Sequence, residues 1–140
     1  MSETREVGAA GDDRTLHVRV EPFEEALDRS ERALEAIASG EEPAEADRYG
    51  LSIAADAEAA RIVSEANLAL LRAVAREEPA SIRATARLVD RDPAEVKRNL
   101  DELEALGLVR YEQEGRAKRP TVWFERITVE IPLRDGAEKV

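Results

Sequence analysis

The chain has 140 residues with 31 acidic and 21 basic side chains, a net charge of −10 and no cysteine. This length favours one compact domain or two small ones. The lack of cysteine excludes disulfide scaffolds, thiolate metal sites and cysteine nucleophiles, and a single histidine, His17, excludes a multi-histidine metal centre. No apolar run reaches the length of a membrane span, and residues 1–14 lack the apolar core of a signal peptide. We therefore expect a soluble, cytoplasmic protein.

The charge is distributed unevenly along the chain. Residues 1–60 carry 16 acidic and 6 basic side chains, whereas residues 61–140 carry 15 of each. Arginine outnumbers lysine by 18 to 3, and there are 24 alanines. An acidic, alanine-rich and lysine-poor composition resembles that of proteins from halophilic organisms, whose high surface charge is screened by molar salt. An ordinary acidic protein is the alternative.

The N-terminal part predicts a small strand–helix–strand unit over residues 15–55, after a polar and disordered lead-in at 1–14. Leu16, Val18 and Val20 alternate with polar residues as in a half-buried strand, and Tyr49, Leu51 and Ile53 repeat the pattern. Between them, Pro22 predicts the first position of a helix that ends at Ser39-Gly40. The apolar stripe of this helix consists of Phe23, Leu27, Leu34 and Ile37. A unit of this size needs another surface to bury its open face.

The next part of the chain predicts four helices in succession. The first follows Asp56, the second is capped by Ser64 and ends before Pro79, and the third is capped by Ser81. We expect Leu68, Leu71, Val74 and Ala75 to face the core from the second, and Ile82, Ala86 and Val89 from the third.

The last of the four helices is the best specified. Asp92, Pro93 and Glu95 supply an N-cap, a proline at the first position and a capping-box partner, and Gly107 ends the helix. Val96, Leu100, Leu103 and Leu106 have the spacing of core residues.

A β-hairpin follows, and its tip is basic. LVRYEQ and TVWFER predict two strands joined by a five- or six-residue loop that carries Arg116, Lys118 and Arg119. ITVEIPL, with Ile127, Val129 and Ile131 alternating, predicts a further strand before a tail at 134–140.

The last three of these helices and the hairpin have the order of a winged helix-turn-helix domain. The predicted domain covers residues 56–133. The predicted fold is therefore α+β: three helices plus a β-hairpin wing, preceded by the strand–helix–strand unit. In such a domain the start of the recognition helix, here about 93–106, enters the major groove, and the wing, here 115–120, lies on the backbone or in the minor groove. The residues expected to contact double-stranded DNA are Ser81, Arg83, Arg87, Arg91, Ala94, Lys97, Arg98, Arg116, Lys118 and Arg119. Residues 81–120 hold 9 basic and 8 acidic side chains, so the excess of negative charge lies elsewhere.

The run SIRATARLVDRDPAEVKRNLDELEALGLVRYEQEG resembles archaeal winged-helix transcriptional regulators of the MarR/ArsR-like class. The strand–helix–strand unit before this run and the TVWFERITVEIPL segment after it narrow the resemblance to one group of halophilic archaeal proteins described as DNA-binding. This narrower resemblance covers roughly residues 15–133. The resemblance implies a sequence-specific regulator, usually a homodimer. One departure is Asp90, where glycine is common in the turn; Asp tolerates the left-handed conformation but brings a negative charge near the DNA-facing side.

Each feature has a plainer interpretation. Lys97 and Arg98 fit a solvated helix face paired with Asp101 and Glu102, and the basic wing fits an ordinary surface turn. A second function is that of an antitoxin or interaction subunit, with the helix Phe23–Ile37 binding a partner protein. An enzyme is the weakest hypothesis, because we find no glycine-rich phosphate loop, metal set or nucleophile–base pair. The sequence thus predicts a transcriptional repressor without cofactor or metal, as a homodimer on DNA. Its dimer interface lies in the strand–helix–strand unit or in ITVEIPL.

Overall fold

The computed structural model of the chain describes residues 14–42 and 49–134. The expectations for the lead-in before residue 14, the middle of the loop after Gly40 and the tail beyond residue 134 lie outside these ranges. The fold is α+β, with five helices and five strands in the described part. It divides into two compact units: unit 1 holds the described residues up to Ala59 and from Phe124 onward, and unit 2 is Ala60–Trp123.

Unit 1 contains a three-stranded parallel sheet with the strand order β2-β1-β5. Its elements are β1 (Thr15–Val20), α1 (Phe23–Ala38), β2 (Gly50–Ile53) and β5 (Arg126–Glu130). Val18 lies opposite Leu51 on one side and Val129 on the other, so the apolar positions of the three strands share one face. Leu16, Val18 and Ile53 are buried.

Strand β5 lies outside the unit in which the sequence predicted it, because the predicted domain grouped residues 56–133. β5 pairs with β1 and belongs to unit 1. Two parallel strands need a long connection between them, and here the chain from β2 to β5 passes through all of unit 2. No local pattern in ITVEIPL could indicate a partner strand that lies more than 100 residues earlier.

Helix α1 begins directly after Pro22, which takes the N-cap position instead of the expected first helical position. The helix ends at Ser39, and Gly40 follows with a positive φ of 84°. None of the residues of α1 is buried, and its apolar stripe is exposed. The pattern predicted an amphipathic helix correctly, but its apolar stripe does not pack against the sheet of unit 1.

A buried carboxylate joins α1 to the sheet of unit 1. Glu21, between β1 and α1, is 6% exposed and accepts hydrogen bonds from Arg29 Nη2 at 2.9 Å and from the hydroxyl of Ser52 in β2. Burial raises the pKa of Glu21, but the hydrogen bonds from Arg29 and Ser52 outweigh it and the pKa is lowered overall. The charged carboxylate therefore holds helix and strand together.

Unit 2 is built around three helices, α3 (Glu65–Glu77), α4 (Ile82–Val89) and α5 (Pro93–Ala105), which follow α2 (Asp56–Ile62) along the chain. Ser64 and Ser81 cap α3 and α4 as expected, because each hydroxyl accepts a hydrogen bond from a backbone N–H three residues on. Helix α4 packs against both α3 and α5.

The buried residues of unit 2 agree only in part with the core positions that the helical spacing predicted. Leu71, Val74, Ala86, Val96, Leu100 and Leu103 are buried as expected. On α3 the buried face is rotated toward Asn67 and Leu70, while Ala75 is exposed and Leu68 is half-buried. On α4, Thr85 is completely buried, and its hydroxyl is satisfied by a 2.8 Å hydrogen bond to the carbonyl of Ser81.

The turn between α4 and α5 uses Asp90 in the left-handed conformation, with φ 57°. One carboxylate oxygen of Asp92 then accepts hydrogen bonds from the backbone N–H groups of Ala94 and Glu95, so the N-cap forms as predicted. The carboxylate of Glu95 instead pairs with Arg91 at 3.2 Å. Gly107 ends the helix with a φ of 93°.

The hairpin consists of β3 (Arg110–Glu114) and β4 (Ala117–Thr121), and its turn is shorter than expected. Glu114 pairs with Ala117, so only Gly115 and Arg116 form the turn, and the prediction of a five- or six-residue tip was wrong. The positive φ of Gly115, 62°, permits this tight connection. Strand β4 contacts both α3 and α4, which fixes the hairpin to the helices.

No helix within residues 14–42 and 49–134 combines the length and apolar character needed to cross a bilayer.

Candidate nucleic-acid interface

The first half of α5 presents a small residue and two cations to solvent. Ala94, Lys97 and Arg98 are exposed, because Val96 and Leu100 on the opposite side are buried in the core of unit 2. This matches the exposed face expected for the recognition helix. The N-cap at Asp92 and the packing of α4 against α5 fix the direction of this helix.

One carboxylate joins α5 to the hairpin. Asp101 accepts a hydrogen bond from Lys97 Nζ at 2.7 Å and a second one from the Tyr111 hydroxyl at 2.8 Å. The ammonium group of Lys118 on β4 lies 5.2 Å from the centre of the Tyr111 ring, in cation–π geometry. Cations from the helix and from the hairpin are thus brought to the same side of unit 2.

The pKa values of this cluster follow from the contacts. The hydrogen bonds from Lys97 and from Tyr111 lower the pKa of Asp101, so the side chain is a carboxylate at neutral pH. Burial and the hydrogen bond to Asp101 raise the pKa of Tyr111 well above its usual range, so the phenol stays protonated and donates.

Arg91 is engaged inside unit 2, although the sequence predicted it on the DNA-contacting face. It is half-buried, its Nη2 donates a hydrogen bond to Asn99 Oδ1, and the same nitrogen lies 3.2 Å from Glu95. The side chain therefore ties the turn before α5 to the helix. A guanidinium held in this way is poorly placed to follow a phosphate, so we assign Arg91 a bracing role.

The DNA-contacting residues predicted at the start of α4 and along it also differ in their roles: one caps the helix, and two are exposed. The hydroxyl of Ser81 caps the helix and is half-buried. Arg83 and Arg87 are exposed one helical turn apart, and neither forms an ion pair with any residue in the described ranges. These two side chains can contact an external anion at no cost in intramolecular contacts.

The cations predicted at the hairpin tip are separated by the strand geometry. Arg116 lies in the turn and is exposed, while Lys118 and Arg119 are neighbours on β4 and point to opposite faces. Arg119 lies 2.8 Å from Glu112 and 3.6 Å from Glu114, so its charge is neutralised within the hairpin. Of the three cations predicted at the tip, Arg116 and Lys118 are the two that remain available to a ligand.

The sequence predicted Asp101 as an exposed residue of α5 and as an ion-pair partner of Lys97, and it did not identify Tyr111. The pairing of Lys97 with Asp101 follows from the four-residue spacing on a helix. Glu102 pairs with Arg61 instead of Arg98, so Arg98 has no ion-pair partner among the described residues. The contact of Tyr111 depends on how the hairpin packs, and no sequence signal indicates it.

A family model described as HVO_A0114, a family of halophilic archaea, matches residues 62–129. The matched range covers nearly all of unit 2 and most of β5. This similarity is compatible with the resemblance to halophilic archaeal proteins, and it does not address the relation to MarR/ArsR-like regulators. No curated protein matches the chain.

Proposed function

We propose that the chain is a sequence-specific double-stranded DNA-binding transcriptional regulator, a repressor, in which α3–α5 and the β3–β4 hairpin act as a winged helix-turn-helix. The observation that carries the proposal is the cluster around Asp101, which brings Lys97 of α5 and Lys118 of the hairpin to one side of unit 2. A helix and a wing that present cations on one side can bind the groove and the neighbouring backbone simultaneously.

Recognition is assigned to the exposed start of α5. Lys97 and Arg98 donate to guanine edges or phosphates, and the small side chain of Ala94 lets the backbone approach the bases or contacts a thymine methyl. Lys97 leaves Asp101 when it contacts DNA, and Asp101 keeps its hydrogen bond from Tyr111. Arg83, Arg87, Arg116 and Lys118 contact flanking phosphates.

The net charge of −10 limits binding to non-cognate DNA. Affinity for any duplex depends on neutralised phosphates, and an acidic protein is repelled until salt screens its charge. Because residues 81–120 hold 9 basic and 8 acidic side chains, this stretch carries no excess of negative charge and can bind once that repulsion is screened.

The proposal is tested by selecting bound duplexes from a random pool at about 0.2 M and about 2 M KCl, which bracket the screening of surface charge. We expect an enriched motif, and loss of binding to it when both Lys97 and Arg98 are changed to alanine. Arg32→Ala, an exposed cation on α1 in unit 1, is the matched control and should bind normally. No enrichment at either salt concentration contradicts the proposal.

A second candidate is an antitoxin or interaction subunit that binds a partner protein through unit 1. The exposed apolar stripe of α1 favours it. A stoichiometric partner polypeptide, together with no enriched duplex, would support this candidate over the first. An antitoxin that represses its own operon would satisfy both.

A further inference from the structure

Helix α1 exposes an apolar stripe of four large side chains. Phe23 is 70% exposed, Leu27 46%, Leu34 65% and Ile37 58%. Monomeric proteins rarely leave so many large apolar side chains on one line of a helix, and patches of this kind mark interaction surfaces. The side of α1 that carries Arg29 contacts Glu21, so the helix is held in unit 1 with this stripe left open.

The spacing of the stripe is that of a coiled-coil seam. With Ser30, the residues follow one another at intervals of four, three, four and three positions, which is the a/d pattern of a heptad repeat. The pattern is also nearly symmetric about Ser30, with large residues three and seven positions before it and four and seven after it. Two such helices running antiparallel therefore place apolar residues against each other along their full length.

We infer that this stripe pairs with the same stripe of a second copy of the chain, in an antiparallel two-helix contact centred near Ser30. Ala26 and Ala33 lie on the flank that faces the sheet of unit 1 and are half-buried, so the exposed stripe itself is the surface left for a second helix. The inference does not depend on the proposed function.

The area of the stripe fits a weak dimer. The four side chains expose roughly 400 Å² of apolar surface, as judged from the size of such residues. Two copies bury roughly 800 Å², which is the size of a weak or transient interface.

The charge on the other flank makes the contact dependent on salt. Glu24 and Glu31 lie beside the seam, and in an antiparallel pair this flank faces the same flank of the second helix. Like charges at this distance repel in dilute buffer, and the net charge of −10 per chain adds to the repulsion. The dimer therefore forms at high ionic strength.

The test is the molar mass of the full chain in solution, measured by light scattering at about 0.2 M and about 2 M KCl. We expect the 15.5 kDa monomer at low salt and twice that mass at high salt. Leu34→Glu should remain monomeric at both. Leu133→Glu, the same change at a 95% exposed leucine after β5, is the matched control and should dimerise like the parent chain.

Circular dichroism of Leu34→Glu at both salts checks that the helix content is unchanged, as expected for an exposed position. The double variant Glu24→Gln, Glu31→Gln should dimerise at lower salt than the parent chain. A parent chain that is monomeric at both salts overturns the inference, even if it co-purifies with another polypeptide. Dimers of Leu34→Glu also overturn it, because the contact then lies elsewhere, as on the β5 edge.

Discussion

The hydroxyl of Tyr111 donates a 2.8 Å hydrogen bond to Asp101, and this contact connects the hairpin to the helix that carries Lys97. Both groups have pKa values displaced so that the donor stays protonated and the acceptor stays charged. The contact therefore persists over the whole neutral range. It gives the candidate interface a defined geometry before any ligand arrives.

Asp101→Asn should loosen the hairpin and release Lys97. We expect a loss of roughly 0.5–1 kcal/mol in stability, since the pair is partly exposed. The affinity for DNA should rise, because Lys97 no longer has to leave a carboxylate before it contacts the duplex. Absorbance titration of the phenols provides a direct check, because the pKa of Tyr111 should fall once its charged acceptor is lost. An unchanged Tyr111 titration would show that the contact is absent in solution.

Arg116→Ala and Arg119→Ala should differ in their effect on DNA affinity. The Arg116 side chain is exposed in the turn, so its removal should weaken binding by about three- to ten-fold and reduce the salt slope by about one. Arg119 is neutralised by Glu112 and Glu114, so its removal should weaken binding by less than about two-fold. Equal losses in a fluorescence-anisotropy titration would mean that the ion pairs of Arg119 open on the duplex.

Asp90→Asn should increase DNA affinity by about two- to five-fold in dilute salt, since it removes a negative charge from the helix-turn-helix turn. Asparagine tolerates the left-handed conformation that this position adopts, so stability should change by less than about 0.5 kcal/mol. Asp90→Ala makes the same charge change but should cost about 1 kcal/mol in stability. Comparing the two variants separates the effect of charge from that of conformation, and identical affinities to the parent chain would place Asp90 away from the duplex.

Glu21→Gln should destabilise unit 1 by about 1–3 kcal/mol at pH 7, because Arg29 and Ser52 lose the buried charged group that accepts their hydrogen bonds. The pKa of Glu21 is lower in the folded state than in the unfolded state, so its stabilisation is complete above the ordinary glutamate pKa. It disappears as the pH falls through the lowered folded value. The stability difference between parent and variant should therefore shrink below about pH 4.5. Denaturation followed by circular dichroism is the suitable measurement, because the single tryptophan, Trp123, lies in unit 2.

Local signals predicted the helices of unit 2 well. Ser64, Ser81 and Asp92 cap their helices as the sequence indicates, because a cap needs only a side chain and the backbone within three residues of it. The exposure of Lys97 and Arg98 also followed directly from the buried positions of Val96 and Leu100.

Features that depend on distant residues were not predictable. The turn at Gly115 has only two residues because the register of β3 on β4 fixes it, and that register follows from packing on α3 and α4. The sequence pattern placed Arg91 on the same exposed face as Lys97, yet the hydrogen bond from Arg91 to Asn99 holds its side chain within unit 2. The stripe of α1 was identified, but a periodic pattern does not indicate whether a surface of the same chain or another molecule covers it.

The pairing of β1 with β5 sets the order in which the two units can be completed during synthesis. Thr15 and Arg126 are joined across 111 residues, whereas unit 2 is one continuous stretch between them. The ribosome therefore delivers everything that unit 2 needs before β5 emerges, and β1 waits with one edge unpaired until then. β5 can pair with β1 only after all of unit 2 has been synthesised, and until then the unpaired edge of β1 exposes the nascent chain to aggregation.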